Sequence, residues 1–406
     1  MAAATRIPVP ADFDANSISR EAGRLPLAMR HVAARSGVPN LISGSQTQAG
    51  FRTWNYNYVA VSSLRIYFAN FYVSSAVSGV ETAAGGPLTV RVSIEYPKGT
   101  FSPLYTAVIP DGGVGYVDVP GSIPAFAWYR IGGDLNYPNG GKVLSSGWSN
   151  SADRGNGDEY QVGATGYGHA QDSSVLGSGG AGAVFPLAVL AMSALPVRAV
   201  IGDSIAGGVN DTVSDPSGGR GLVGRALAKL GPHLNMGVPG DRAQWFATLS
   251  SNRVALMKAA GVNLAVLELG VNDIMNGGRT SAQCLADRAA IRSLLPGVSF
   301  FDTTITPATT STDGWQKAAN QTTTGAAANT HRTAFNDSLR SGSALPSAII
   351  DVAAAVETSP SNEVGPVLNG GVWIPGLVGP GDGTHPNSRC NELLEPLVTR
   401  SLGSRR

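Results

Sequence analysis

Charge is scarce in this chain. Asp, Glu, Lys and Arg make up 14% of its 406 residues and balance to a formal net charge of +1. No block of lysine or arginine occurs, so neither nucleic acid nor an anionic membrane surface is expected as a main partner. Cysteine is rarer still, with Cys284 and Cys390 alone. A chain this long builds its core without disulfides, so the two read as unpaired thiols, a single bridge between them staying open. No Cys and His spacing suggests a zinc site, and neither a metal nor a cofactor is expected. Long apolar runs are also missing. The most apolar stretch, Ala183 to Leu195, is interrupted by Pro186 and is too short to cross a bilayer. Met1 to Asn16 lacks a cationic start followed by an apolar core, so no signal peptide is visible; a soluble protein is expected, with an extracellular place favoured all the same.

Glycine and proline, by contrast, are plentiful at 52 and 25 residues, which points to many turns and so to β-structure or long shaped loops. An apolar content of 43% beside so little charge argues for a packed globular protein rather than disorder. The length exceeds the usual single domain and favours two domains of unequal kind.

The two halves differ in period. From Phe51 to Arg130 the pattern is strand-like. Tyr56 to Val61, Leu64 to Phe68 and Leu88 to Ile94 are short runs of β-branched or aromatic residues with partial alternation, punctuated by Gly-Gly, Pro-Lys-Gly and Asp-Gly-Gly. From Gly132 to Gly182 the chain stays rich in Gly, Ser and Asn with few helix formers. This half is expected to be an all-β sandwich, jelly-roll-like, over 46–190, after an N-terminal extension at 1–45.

After Pro196 strands and helices alternate. Strands are expected at Val197 to Ile201, Leu234 to Val238, Asn263 to Leu269, Val298 to Ile305 and Ile349 to Val352. Helices are expected at Gly221 to Leu230, Arg242 to Ala260, Ser281 to Leu295 and near Thr330 to Arg340, with a last one beginning near Pro386. Such alternation implies an α/β domain over 196–406, with a parallel sheet covered on both faces. Ligands of such sheets bind beyond the carboxyl ends of the strands.

Polar motifs fall at those ends. The first strand runs into Gly202-Asp203-Ser204, the second into Gly237-Val238-Pro239-Gly240-Asp241 and the third into Gly270-Val271-Asn272-Asp273. The loop before the last helix reads Gly381-Asp382-Gly383-Thr384-His385-Pro386. In this order the motifs resemble blocks I, II, III and V of the SGNH (GDSL-type) hydrolases, carried by Ser204, Gly240, Asn272 and His385, with Asp382 before the histidine. The resemblance covers about 196–406. It implies a flavodoxin-like three-layer α/β/α fold with a five-stranded parallel sheet, and hydrolysis of esters or thioesters.

The chemistry agrees with that resemblance. A serine hydroxyl needs a base within hydrogen-bond reach, and histidine suits the task near neutral pH. Of His31, His169, His233, His331 and His385, only His385 has a carboxylate close in sequence within a tight glycine-rich loop. Asp382 would orient one ring nitrogen while the other faces Ser204, and Pro386 suits the first position of the following helix. Oxyanion donors would be the backbone N–H of Ser204, the backbone N–H of Gly240 and the Asn272 amide. Alone, Gly240 reads as a plain turn and Asn272 as a helix cap. Asp203 and Asp273 read as loop-structuring residues, and Asp241 with Arg242 as a helix start that could border the pocket. Asp211 and Asp215 invite a metal reading that is not preferred. No Gly-x-Ser-x-Gly elbow surrounds Ser204, which disfavours the α/β-hydrolase fold.

In the β-half, Trp54, Tyr56, Tyr58, Trp128 and Tyr129 are expected to be core residues, with a sugar-stacking platform as the sharper alternative. The expected function is a serine esterase acting on a small or polymeric ester such as an acetylated polysaccharide. A lipase or thioesterase on acyl chains, and a glycan-binding protein with an idle hydrolase fold, stay open. The oligomeric state is left undetermined.

Overall fold

A computed structural model describes residues 25–33, 36–74, 79–145, 159–164, 167–171, 176, 186–211, 219–342, 348–362, 365–379 and 381–403. The principal strands of the first half are β1 (Ala28–His31), β2 (Gln48–Asn57), β3 (Val61–Ala69), β4 (Leu88–Glu95), β5 (Tyr105–Ile109), β6 (Val114–Ile123), β7 (Ala127–Asn136), β8 (Glu159–Val162) and β9 (Ala188–Ser193). They make two antiparallel sheets, ordered β1-β9-β3-β6 and β8-β2-β7-β4-β5. The period of two decides which side chains meet between them. Strand β4 turns Leu88, Val90, Val92 and Ile94 inward, and β7 adds Tyr129, Ile131 and Leu135 to the same buried core. The two sheets form the expected all-β sandwich.

The structure revises the sequence reading of this half in two places. Strand β1 lies within the stretch read as an extension, and it pairs with β9 at a sheet edge. The run Tyr56 to Val61 is not one strand: β2 ends at Asn57 and β3 begins at Val61. The Asn57 amide donates to the Val59 carbonyl at 2.6 Å and so closes the turn locally. Trp54, Tyr56, Tyr58 and Tyr129 are buried, as expected of core residues. Tyr56, Tyr58 and Leu195 form a small cluster with Trp128 packed against it.

The second half holds a parallel sheet of β10 (Val197–Ile201), β11 (His233–Asn235), β12 (Val262–Leu267), β13 (Ser299–Thr303) and β14 (Ala348–Ile350), ordered β11-β10-β12-β13-β14. Every neighbouring pair is parallel, which gives the flavodoxin-like order with its switch point beside β10. Helices α1 (Gly221–Leu230), α2 (Ala243–Leu249), α3 (Ser251–Ala259), α4 (Val271–Met275), α5 (Ser281–Leu294), α6 (Ala326–Arg340), α7 (Val352–Val356) and α8 (Ser388–Gly403) accompany it. Alternate residues of each strand enter different cores. Val200, Val266 and Phe301 pack with α1, α6 and α8, whereas Ala199, Ile201, Ala265 and Leu267 pack with α2, α3 and α5. Helix α5 begins with a capping box, in which Gln283 N–H donates to the Thr280 hydroxyl and Thr280 N–H donates to the Gln283 side chain.

Here too the structure corrects the sequence reading. The helical stretch Arg242 to Ala260 is two helices, broken at Ser250. Pro386 does not open the last helix. It bridges Val378 while Gly379 N–H donates to the His385 carbonyl at 2.8 Å, and α8 starts only at Ser388.

The halves share structure as well as sequence. Ala188 and Leu190 of β9 enter the same buried cluster as Ala199 and Leu234. Across the junction the Tyr58 hydroxyl donates to the Ala228 carbonyl at 3.0 Å, and His31 N–H donates to the Ala260 carbonyl at 2.9 Å. No helix among the described residues is long and apolar enough to cross a membrane.

Cys284 and Cys390 are buried, unpaired thiols. Burial pushes both thiols upward, that of Cys390 to about 12. A thiol-reactive chromogen is therefore expected to titrate neither in the native protein and both after denaturation. Rapid labelling of either under native conditions would contradict the packing.

Candidate active site

The site is assembled at the carboxyl ends of β10, β11 and β12 and from the loop before α8. Strand β10 ends in a chain of tight turns: Gly207 N–H bonds the Asp203 carbonyl and Val209 N–H bonds the Ser204 carbonyl, at 2.9 and 3.0 Å. Ser204 sits in this turn with 8% of its surface exposed.

The loop carrying His385 is held by its neighbours. The Gly383 carbonyl accepts from the Trp373 indole at 2.8 Å and from Thr309 N–H at 3.0 Å. Gly383 has φ of 62°, and a Cβ there would stand 1.8 Å from the Thr309 carbonyl oxygen, so only glycine fits. Pinned this way, the loop brings His385 Nε2 to 2.7 Å from Ser204 Oγ. On the other side of the ring, His385 Nδ1 lies 2.7 Å from Asp382 Oδ2. Serine, imidazole and carboxylate thus form one hydrogen-bonded line.

Asp382 is well supplied with donors. Oδ1 accepts from Thr384 N–H and His385 N–H at 2.9 and 3.0 Å, and Oδ2 also accepts from the Asn210 amide at 2.9 Å. Burial alone would raise its carboxyl. The bonds from the His385 ring and from the His385 and Thr384 N–H groups outweigh that and hold it at about 2. His31 and His233, by contrast, are buried at the junction of the two halves, where burial lowers them to about 3 and 4.

Gly240 and Asn272 lie in the segments after β11 and β12, where the Asn272 amide meets the carbonyl of Asp241. Val238 N–H bonds the Gly202 carbonyl at 3.1 Å, which ties the Gly240 turn to the Ser204 strand. Gly240 has φ of 77°, a left-handed conformation that suits glycine. Asn272 lies within α4, not at its cap, and its amide donates one N–H to the Asp241 carbonyl at 3.2 Å while its oxygen accepts from Asn276 at 3.0 Å. One N–H of that amide remains for a ligand.

The surrounding acids have structural duties. Asp273 accepts from Ala243 and Gln244 N–H and so caps α2 from another loop. Asp241 is fully buried against Arg253 at 2.6 Å. Asp211 pairs with Arg225 at 2.6 Å, and Asp215 lies outside the described residues. No group of three or more possible metal-ligating side chains occurs among the described residues. Arg242 stacks its guanidinium 4.3 Å from the Trp245 ring centre.

Two residues escaped the sequence reading. Asn210, the amide partner of Asp382, carries no signal beyond its place in a turn. Glu268 was detectable: it is the acid interrupting the apolar run into Leu269. It is buried with both carboxyl oxygens unpartnered, beside a cavity lined by Ile205, Val271, Thr304 and Val352. Burial, reinforced by nearby Asp203, holds its carboxyl well above the ordinary range.

Such a fold defines a class, the flavodoxin-like three-layer α/β/α domains with polar groups on strand-end loops. Residues 200–393 match the family described as GDSL-like Lipase/Acylhydrolase. The chain carries a domain of that family and is a carboxylic ester hydrolase. Similar solved structures include a peptidoglycan O-acetylesterase, with 11% identity over 97% of this chain and 87% of that one and a TM-score of 0.39. A salicylyl-acyltransferase of a tetracycline biosynthetic pathway shows 13% identity over 88% and 82%, with a TM-score of 0.33. A lipolytic G-D-S-L family member from Veillonella parvula shows 18% over 52% and 99%, with a TM-score of 0.36. At these scores none bears on substrate. No curated protein matches the chain.

Asp203 yields a prediction about stability. Burial raises its carboxyl to about 7, although Ile205 N–H and His385 pull it down. Between about pH 4 and pH 7 the unfolded chain releases this proton while the folded one keeps it, so folding stability falls as pH rises through that window. The contribution is on the order of 4 kcal/mol. Chemical denaturation of Asp203→Asn is expected to show a shallower decline from pH 4 to 7 than the unaltered protein. Parallel profiles would contradict the assignment.

Proposed function

We propose that Ser204 is the nucleophile, His385 the general base and Asp382 the residue that orients it, in an esterase that removes small acyl groups from a polar, carbohydrate-type substrate. One observation carries the reading: the unbroken line from Ser204 Oγ through the His385 ring to an ionised Asp382, with both contacts at 2.7 Å.

In this scheme Ser204 Oγ attacks the ester carbonyl and passes its proton to His385 Nε2. Asp382 accepts from the Nδ1–H and stabilises the imidazolium that forms. The negative charge arising on the former carbonyl oxygen is met by the N–H of Ser204, the N–H of Gly240 and the free N–H of Asn272. His385 then gives its proton to the departing alkoxide, leaving an acyl group on Ser204. Water, deprotonated by the same imidazole, releases the acid and restores the hydroxyl.

The rim favours a hydrophilic ester over a long acyl chain. Exposed Asn210 and partly exposed Thr384 both donate to Asp382, and each offers hydrogen bonds rather than apolar surface. Acetylated polysaccharide fits those contacts.

Ser204→Ala and His385→Ala are each expected to abolish hydrolysis of p-nitrophenyl acetate while leaving the melting curve in place. Asn272→Ala should lower kcat by on the order of 10²-fold, the usual loss for one oxyanion donor. Faster turnover of long-chain than of short-chain esters would overturn the substrate class, and undiminished activity in Ser204→Ala would overturn the mechanism.

A further inference from the structure

The break between α2 and α3 is where the β-sandwich reaches the hydrolase half. Glu81 belongs to a short strand, Glu81–Ala83, paired with Phe71–Val73. Its carboxylate enters the start of α3. Oε2 accepts from Asn252 N–H at 2.8 Å, and Oε1 accepts from Arg253 N–H at 3.0 Å and from Arg253 Nε at 3.3 Å. The Ser250 side chain makes no cap for α3, so Glu81 serves as the cap from outside, an anion at the positive end of the helix.

The contact continues inward. Arg253 is fully buried, and its Nη1 donates to Asp241 Oδ2 at 2.6 Å. Asp241 is the residue after Gly240, and its backbone carbonyl holds the Asn272 amide at 3.2 Å. Glu81, Arg253 and Asp241 have side-chain exposures of 4%, 0% and 0%. With water excluded, a buried guanidinium keeps its place through its two carboxylates, and removing one leaves charge uncompensated.

We infer that Glu81 is a positioning residue, through which the β-sandwich sets the placement of Gly240 and Asn272 by way of the buried Arg253–Asp241 pair. The inference rests on the oxyanion role given to those two residues above. Without the Glu81 charge, the first N–H groups of α3 lose their anionic acceptor and Arg253 is balanced by Asp241 alone. Any resulting shift of Asp241 moves the carbonyl that orients Asn272 and the turn that presents Gly240. Misplacement by about 1 Å typically costs on the order of 10²-fold in rate.

The test uses the full chain, assayed on p-nitrophenyl acetate well below the melting temperature of each variant. Glu81→Gln, which keeps shape and loses charge, is expected to lower kcat by roughly tenfold to a hundredfold with KM almost unchanged. It should slow phosphonylation of Ser204 by a serine-reactive phosphonate in parallel, since that adduct also needs the oxyanion donors. Asp241→Asn should behave alike, and the double variant should lose little more than the worse single, as expected of one connected network. A Glu81→Gln protein that melts earlier but keeps kcat and phosphonylation rate would reduce Glu81 to a structural contact, and fully additive losses in the double variant would also overturn the inference. Activity surviving in Ser204→Ala would instead strike the underlying mechanism, whatever Glu81→Gln does.

Discussion

A parallel sheet has two faces to bury, and in this protein that constraint governs nearly everything else. Every residue of β10 is buried, because helices cover both sides of the strand. With its faces occupied, the sheet can meet substrate only at strand ends, and the order β11-β10-β12 puts the turns after those strands side by side. Ser204, Gly240 and Asn272, scattered along the chain, fall in the segments after adjacent strands for that reason. The fourth and fifth partners, His385 and Asp382, arrive from a loop that the sheet does not position. Trp373, Thr309 and the glycine at 383 do so instead.

The cover on one face is shared between halves. Ala188 and Leu190 of the sandwich pack into the same cluster as Ala199 and Leu234 of the parallel sheet. The sandwich thus completes the hydrolase core rather than hanging from it. Polar contacts follow this apolar seam: His31 sits buried with its ring nitrogen 3.1 Å from the His233 carbonyl, and Glu81 reaches α3. A charged contact such as Glu81 with Arg253 needs so dry a seam to hold its partners in one geometry.

The sequence was most legible where a local pattern and a packing demand coincide. Val197–Ile201 reads as a strand because all its residues are apolar or pack by long stems, and β10 has those bounds. Asp382 and His385 were readable as partners because they stand three positions apart in a tight glycine-rich turn. Legibility failed where a distant group decides. Nothing local announces the break at Ser250, since the cap for α3 comes from Glu81, far earlier in the chain. Pro386 resembles a helix start, yet its pairing with Val378 draws the backbone into a strand-like course. Asn210 gains its meaning only when the last loop folds over it.

The carboxyls around Ser204 show why burial by itself does not decide a charge state. Asp382, Asp203 and Glu268 all lose water on folding, and for each that loss is the largest influence, acting to raise the pKa. What separates them is the supply of donors. Asp382 accepts from Thr384 N–H, His385 N–H, the His385 ring and the Asn210 amide, and it stays ionised. Asp203 accepts from Ile205 N–H on one oxygen and leaves the other bare, and it rises to about 7. Glu268 has no donor to either oxygen, and its carboxyl is held well above the ordinary range. Negative charge therefore concentrates on the side of Ser204 where an imidazolium would form, and is depleted on the side of the sheet. An arrangement with the donors exchanged would place an anion behind the serine and leave the histidine ring without its acceptor. The His385 ring, with the N–H groups of Thr384 and His385, thus sets the charge on which the proposed chemistry depends.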